Sequence, residues 1–224
     1  MKIPGKILVT MAASLALAGV ASAESVKHDH SFTILVNNVS TENTLRLPDD
    51  TTANVPVAPG AYAVVRNGAH IFHPSGKAEA ALERLAEDGQ PEAFVAQLKK
   101  MKGVRAVGIL MPNEPFNVTV RPGERLVFAA MFARSNDLFY APDPDGIDLF
   151  DGGGEPKFGI LSDSVTLWDA GTEVNEAPGA GANQPANQAK PNTGPDEHNV
   201  IRPVNDGFTY PAARDVLEVS VTAN

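Results

Sequence analysis

Three carboxylates in this chain stand directly beyond apolar runs, where a folded strand would deliver them to a surface. Asp137 closes Arg134-Ser135-Asn136-Asp137, which follows the run Arg125 to Ala133. Asp169 and Glu173 bracket Asp169-Ala170-Gly171-Thr172-Glu173, which follows the run ending at Trp168. Strand ends cluster at the two poles of a sandwich, so two such loops at one pole would bring Asp137, Asp169 and Glu173 together. Gly171 lets the second loop curl so that both of its carboxylates face one point. Calcium takes six to eight hard oxygens at about 2.3–2.6 Å from carboxylates, carbonyls and water, and three close carboxylates repel without a cation. Spacing leaves a second reading open, because loop Asp and Glu residues more often face solvent or cap turns.

Other candidates are weaker. Asp143-Pro144-Asp145-Gly146 hints at a helix-loop-helix calcium loop. Aligned on Gly146, however, its first ligand would be Ala141 and its twelfth Gly152, and Pro144 lies inside it. Asp143, Asp145 and Asp148 remain possible helpers of the first cluster. Asp151-Gly152-Gly153-Gly154 has no second copy and reads as a turn. His28-Asp29-His30 reads as a polar terminus, with loose zinc, copper or nickel binding as its alternative. His70 and His73 flank Phe72 without a second pair at ligand spacing, so surface or packing roles are expected. No Gly-x-Ser-x-Gly elbow or His-Glu-x-x-His helix occurs, and Gly179-Ala180-Gly181 lacks the third glycine of a dinucleotide site.

The elements that must position these residues read as mostly β. Phe32 to Val39 alternates with Phe32, Ile34 and Val36 on one face. Short segments at Asn54 to Val57 and Ala61 to Val65 are punctuated by Pro59-Gly60. Residues 77–101 carry Ala78, Leu82, Leu85 and Ala86, then Phe94, Val95 and Leu98, at helical spacing. Asp88-Gly89 and Pro91 divide them, predicting a helix-turn-helix insertion. Strands are predicted again at Val104 to Met111, Phe116 to Val120, Arg125 to Ala133, Ile147 to Phe150 and Phe158 to Trp168. Trp168 is expected in the core beneath Asp169. The stretch 175–199, rich in Ala, Gly, Pro, Asn and Gln, reads as a long loop. A closing strand alternates Leu217, Val219 and Val221. Many short strands with turn signals between them predict an antiparallel β-sandwich carrying a short helical insertion.

The 224-residue chain opens with Lys2 and Lys6, an apolar run from Ile7 to Val20, and Ala21-Ser22-Ala23. Residues 1–23 thus read as a secretory signal peptide, with a mature domain over 24–224 in the periplasm or outside the cell. The net charge is −9, and loss of the two lysines makes it about two units more negative. That charge argues against nucleic acid and against docking on anionic membranes, and suits cations. There are no cysteines, which excludes thiol catalysis, cysteine-ligated metals and disulfides, and fits a bacterial exported protein that relies on its core.

Ser135-Asn136-Asp137, Trp168-Asp169-Ala170-Gly171-Thr172-Glu173 and Pro191-Asn192-Thr193-Gly194 resemble the characteristic blocks of the spondin N-terminal domain family. Phe32 to Ser40 and Leu85-Ala86-Glu87-Asp88-Gly89 fit the same resemblance, which spans nearly all of the mature chain in order. It implies a β-sandwich related to the calcium- and lipid-binding domains of protein kinase C and synaptotagmin. It also implies calcium ligands at Asp137, Asp169 and Glu173. Relatives often carry Asp where this chain has Glu173, and the animal domain has cysteines this chain lacks. The resemblance implies a non-catalytic adhesion or interaction module with a protein or glycan partner. An envelope hydrolase with a calcium-braced loop, and a purely structural protein, are the alternatives.

Overall fold

The computed structural model describes Met1 and residues 28–224. Apart from Met1, the expected signal peptide lies outside the described residues. Twelve strands and three helices run in the order β1 His30–Asn38, β2 Leu45–Arg46, β3 Thr52–Ala53, β4 Val57–Arg66, α1 Ala80–Asp88, α2 Glu92–Leu98, β5 Val104–Leu110, β6 Phe116–Val120, β7 Glu124–Phe132, β8 Leu138–Pro142, β9 Gly159–Ile160, β10 Val165–Asp169, β11 Arg202–Pro203, α3 Ala213–Val216 and β12 Leu217–Ala223. The fold is mainly β, as the sequence pattern predicts.

Two antiparallel sheets carry the fold. One is ordered β6-β1-β12-β9 and the other β11-β10-β8-β7-β4-β5, with β2-β3 as a separate hairpin. Alternation in β1 sends Phe32, Ile34 and Val36 into the space between the sheets. Val219 and Val221 of β12 join them there, as do Leu126, Phe128, Phe132 and Tyr140 from the larger sheet. Helices α1 and α2 cover the other face of the larger sheet, where Leu82, Leu85, Phe94 and Leu98 pack on Ala61, Ala63, Val127, Ala129 and Trp168. Being covered on both faces, β7 reads as a near-continuous apolar run rather than an alternating one. The small alanines of β4 and β7 let the helices approach the sheet. Gly89, at φ 65°, ends α1 in the left-handed conformation, and its N–H and that of Gln90 return to Leu85 and Arg84.

Several elements differ from the sequence reading. Of the segment predicted at Asn54 to Val57 only Val57 is in a strand; it joins Ala61 to Val65 in β4, which runs through Pro59-Gly60 because a register shift between Val57 and Gly60 absorbs the interruption. The predicted strand Phe158 to Trp168 is two strands in different sheets. The polar turn Ser162–Ser164 breaks it, with the Ser162 hydroxyl accepting from the Val219 N–H as the chain crosses over. Ile147 to Phe150 makes only isolated bridges, since Asp148 accepts the Phe150 N–H and turns the backbone. In its place β8 pairs with both β7 and β10. Trp168 is buried against Phe72 and donates from Nε1 to the Ala141 carbonyl at 3.3 Å. His30 opens β1, and Asp29 bridges Arg105 and Arg121, so this terminus is tied down rather than frayed.

Candidate metal centre

Strand pairing places the first two carboxylates side by side. Asp169 ends β10 opposite Leu138, the first residue of β8, so Asp137 stands one step from it. The turn into β8 is locked locally. The Ser135 hydroxyl donates to the Phe132 carbonyl at 2.8 Å and accepts the Leu138 N–H at 3.0 Å. Ser135, Asn136, Asp137 and Asp169 are all buried.

Each carboxylate is then partly claimed by the backbone beyond β10. Asp137 Oδ2 accepts from the Thr172 N–H at 2.7 Å, the Thr172 hydroxyl at 3.1 Å and the Glu173 N–H at 3.1 Å. Asp169 Oδ1 accepts the Gly171 N–H at 2.7 Å, and its Oδ2 accepts from Asn175 at 2.8 Å. Gly171 has φ 71°, and a Cβ there would stand 2.8 Å from the Val200 carbonyl oxygen, so only glycine closes this loop without strain.

The third carboxylate of the cluster is Glu197. One oxygen from each of Asp137, Asp169 and Glu197 lies within 4.8 Å of the others, the one such grouping among the described residues. Arg202, paired with Asp169 across β10 and β11, inserts its guanidinium between two of the acids. Its Nη2 is 2.7 Å from Asp169 Oδ2 and 2.7 Å and 2.9 Å from the two Glu197 oxygens. Burial alone would lower the Arg202 pKa, and the Glu197 and Asp169 carboxylates more than reverse that.

Glu173, expected as a ligand, is buried but faces elsewhere. Its Oε1 accepts the Gly194 N–H at 2.9 Å and its Oε2 accepts from Asn136 at 3.3 Å. It fastens the 190s segment to the turn before β8, while its backbone N–H serves Asp137. This explains Gly194, where a Cβ would stand 2.2 Å from Glu173 Oε2. Gly194→Ala is expected to lower stability by about 1–2 kcal/mol in thermal melting. Asp143, Asp145 and Asp148 do not join the cluster. Asp145 contacts His70 and Asp148 contacts Arg125. Asp151 closes a plain turn by accepting the Gly153 and Glu155 N–H groups.

The electrostatics are those of a site short of positive charge. Burial, then the neighbouring Asp169 charge, pushes Asp137 up to about 7. Burial also raises Asp169, against the pull of Arg202 and the Gly171 N–H, and it raises Glu173. Nearby on α1, Glu87 is pushed up to about 8, chiefly by burial. Asp137 Oδ1 is buried and has no hydrogen-bond partner. Three carboxylates against one guanidinium leave about two negative charges, which fits a divalent cation, and hard oxygens select calcium or magnesium over softer ions. Asp137, Asp169 and Glu197 fit such an ion, with Asp137 Oδ1 the oxygen still lacking a partner.

The segment supplying Glu197 lies within the predicted 175–199 loop. It contains no strand, yet it is hydrogen-bonded throughout its length. Val174 N–H donates to Pro195, Glu197 N–H to Thr172, and Gly179 N–H to Arg134. Compared with protein-family models the chain matches none, and a comparison with curated proteins likewise found no match. Among the described residues, no helix is long and apolar enough to cross a membrane.

Proposed function

We propose that this chain is an exported, non-catalytic interaction module of the spondin N-terminal type whose loops are ordered by calcium. Asp137, Asp169 and Glu197 would hold the ion, with carbonyls and water completing its shell. Glu173 would brace the site rather than ligate. The observation carrying this reading is the orphaned Asp137 Oδ1, buried inside a cluster whose carboxylates outnumber its cations. A bound cation satisfies that oxygen and relieves the repulsion that lifts Asp137. The calcium would act structurally, tying the β7–β8 turn, the post-β10 loop and the 190s segment into one surface. A polar hollow of about 200 Å³ adjoins them, lined by Lys77, Glu83, Thr172, Asp196 and His198. It offers a face for a protein or glycan partner. The sequence charge of −9 favours such a partner over an anionic membrane.

The experiment is thermal melting of the mature chain across a calcium titration. With an affinity in the 10⁻⁴–10⁻³ M range of extracellular modules, 10 mM calcium is expected to stabilise by about 1.4–2.7 kcal/mol. That raises the midpoint by about 3–11 °C. An unchanged midpoint at saturating calcium defeats the reading and leaves Asp137 as a buried acid that simply keeps its proton.

A further inference from the structure

We propose that His70 and His73 form a two-imidazole site for an imidazole-preferring divalent transition ion such as zinc or copper, separate from the carboxylate cluster. Spacing alone gives the pair surface or packing roles. The fold adds three observations.

First, the two rings lie side by side, edge to face. Their centroids are 5.4 Å apart at an interplanar angle of 67°. Two imidazoles bound to one ion at about 2.0–2.1 Å per nitrogen, in tetrahedral geometry, put their centroids about 5 Å apart. The ring separation thus matches that of two imidazoles on one ion.

Second, the pair is held in place. Between the two histidines, Ile71 and Phe72 are buried, and Phe72 packs edge-on against both Phe139 and Trp168. The Gly76 N–H returns to the His73 carbonyl at 3.0 Å. The loop is pinned to Ile201 by Ser75 N–H to the Ile201 carbonyl and Ile201 N–H to the Gly76 carbonyl, each 2.8 Å. The imidazoles thus sit on a braced loop, which lowers the ordering cost of binding.

Third, one ring already has its supporting carboxylate. His70 Nε2 is 3.0 Å from Asp145 Oδ1. A carboxylate accepting one ring N–H fixes the tautomer and leaves the other nitrogen, here Nδ1, free and more basic toward a metal. A hollow of about 130 Å³ lies against both histidines, with Gln97 and Met101 on its wall, leaving space for water on the remaining coordination positions. Imidazole nitrogens suit zinc, copper and nickel, whereas the carboxylate cluster suits calcium, so the two sites select different ions.

The test is a zinc titration against a chromophoric chelator, with calcium in excess. It uses the mature chain carrying His28→Ala and His30→Ala, so that the N-terminal imidazoles do not compete. One zinc per chain is expected. His70→Ala and His73→Ala should each weaken binding at least tenfold, and Asp145→Asn by about tenfold. Asp137→Asn should leave zinc affinity unchanged, which separates this site from the calcium reading. His73 is exposed and His70 half-buried, so metal-free melting of both variants should match the parent and certify their folding. If the parent binds no zinc, or if His70→Ala and His73→Ala bind it as the parent does, the proposal is overturned.

Discussion

Arg202→Met is expected to lower the stability of the metal-free protein by about 2–4 kcal/mol, a fall of roughly 4–16 °C in melting midpoint. The reason is the position of the guanidinium. Asp169 is fully buried, Glu197 is half-buried, and Arg202 Nη2 touches both. Removing it leaves the Asp169 charge inside the protein with only the Gly171 and Asn175 donors, and an uncompensated buried charge is among the most destabilising defects. Arg202 keeps a quarter of its side chain exposed, so the loss sits below that of a fully enclosed pair. Calcium discriminates between a structural and a site role. If the ion occupies the cluster, it takes over the charge balance, and calcium should stabilise Arg202→Met more than the parent. Equal losses with and without calcium would mean that the arginine and the ion do not share a site.

Asp137→Asn is expected to act in the opposite sense on the metal-free protein and to abolish the calcium response. The amide oxygen can still accept from the Thr172 and Glu173 N–H groups. The NH₂ then replaces the orphaned Oδ1 and donates toward the neighbouring carboxylates. A neutral isostere thus removes both a buried charge and an unsatisfied acceptor, a gain of about 1–2 kcal/mol near pH 8. The pH dependence follows from the same groups. Asp137 and Glu87 have pKa values raised to about 7 and about 8, above those of the unfolded chain. Between the unfolded and folded values the native state holds protons that the unfolded state does not, so stability falls as pH rises. Metal-free protein should therefore lose stability between about pH 4 and 8, reaching its floor above the folded values. Asp137→Asn and Glu87→Gln should each flatten that slope. Saturating calcium should flatten it near neutrality, because a bound cation displaces the Asp137 proton. Chemical denaturation at pH 5 and pH 8, with and without calcium, reads all of these.

The central β architecture was legible wherever a pattern had one cause. Phe32, Ile34 and Val36 alternate because one face of β1 is buried, and 77–101 shows helical spacing because one face of each helix packs on the sheet. Leu138 to Pro142 escaped because a strand buried on both faces has no alternation and follows a turn rich in polar residues. Phe158 to Trp168 read as one strand because three polar residues in a row look like a solvent face, whereas they carry the chain between sheets. At the site, Asp137 and Asp169 were visible because strand ends announce themselves. Glu197 and Arg202 were not. Glu197 belongs to a span whose composition reads as loop, and Arg202 reaches the cluster only through the two-residue pairing of β11 with β10. Glu173 was legible as an acid near the cluster, but nothing local announces that its carboxylate closes on Gly194.

The most direct test is a crystal structure of residues 24–224 grown in saturating calcium, with Asp137→Asn as control. The expected result is an ion about 2.3–2.6 Å from Asp137 Oδ1 and from oxygens of Asp169 and Glu197, absent in the variant. A well-ordered cluster without an ion, with Asp137 Oδ1 against a neighbouring carboxylate as a shared proton requires, would contradict the calcium site.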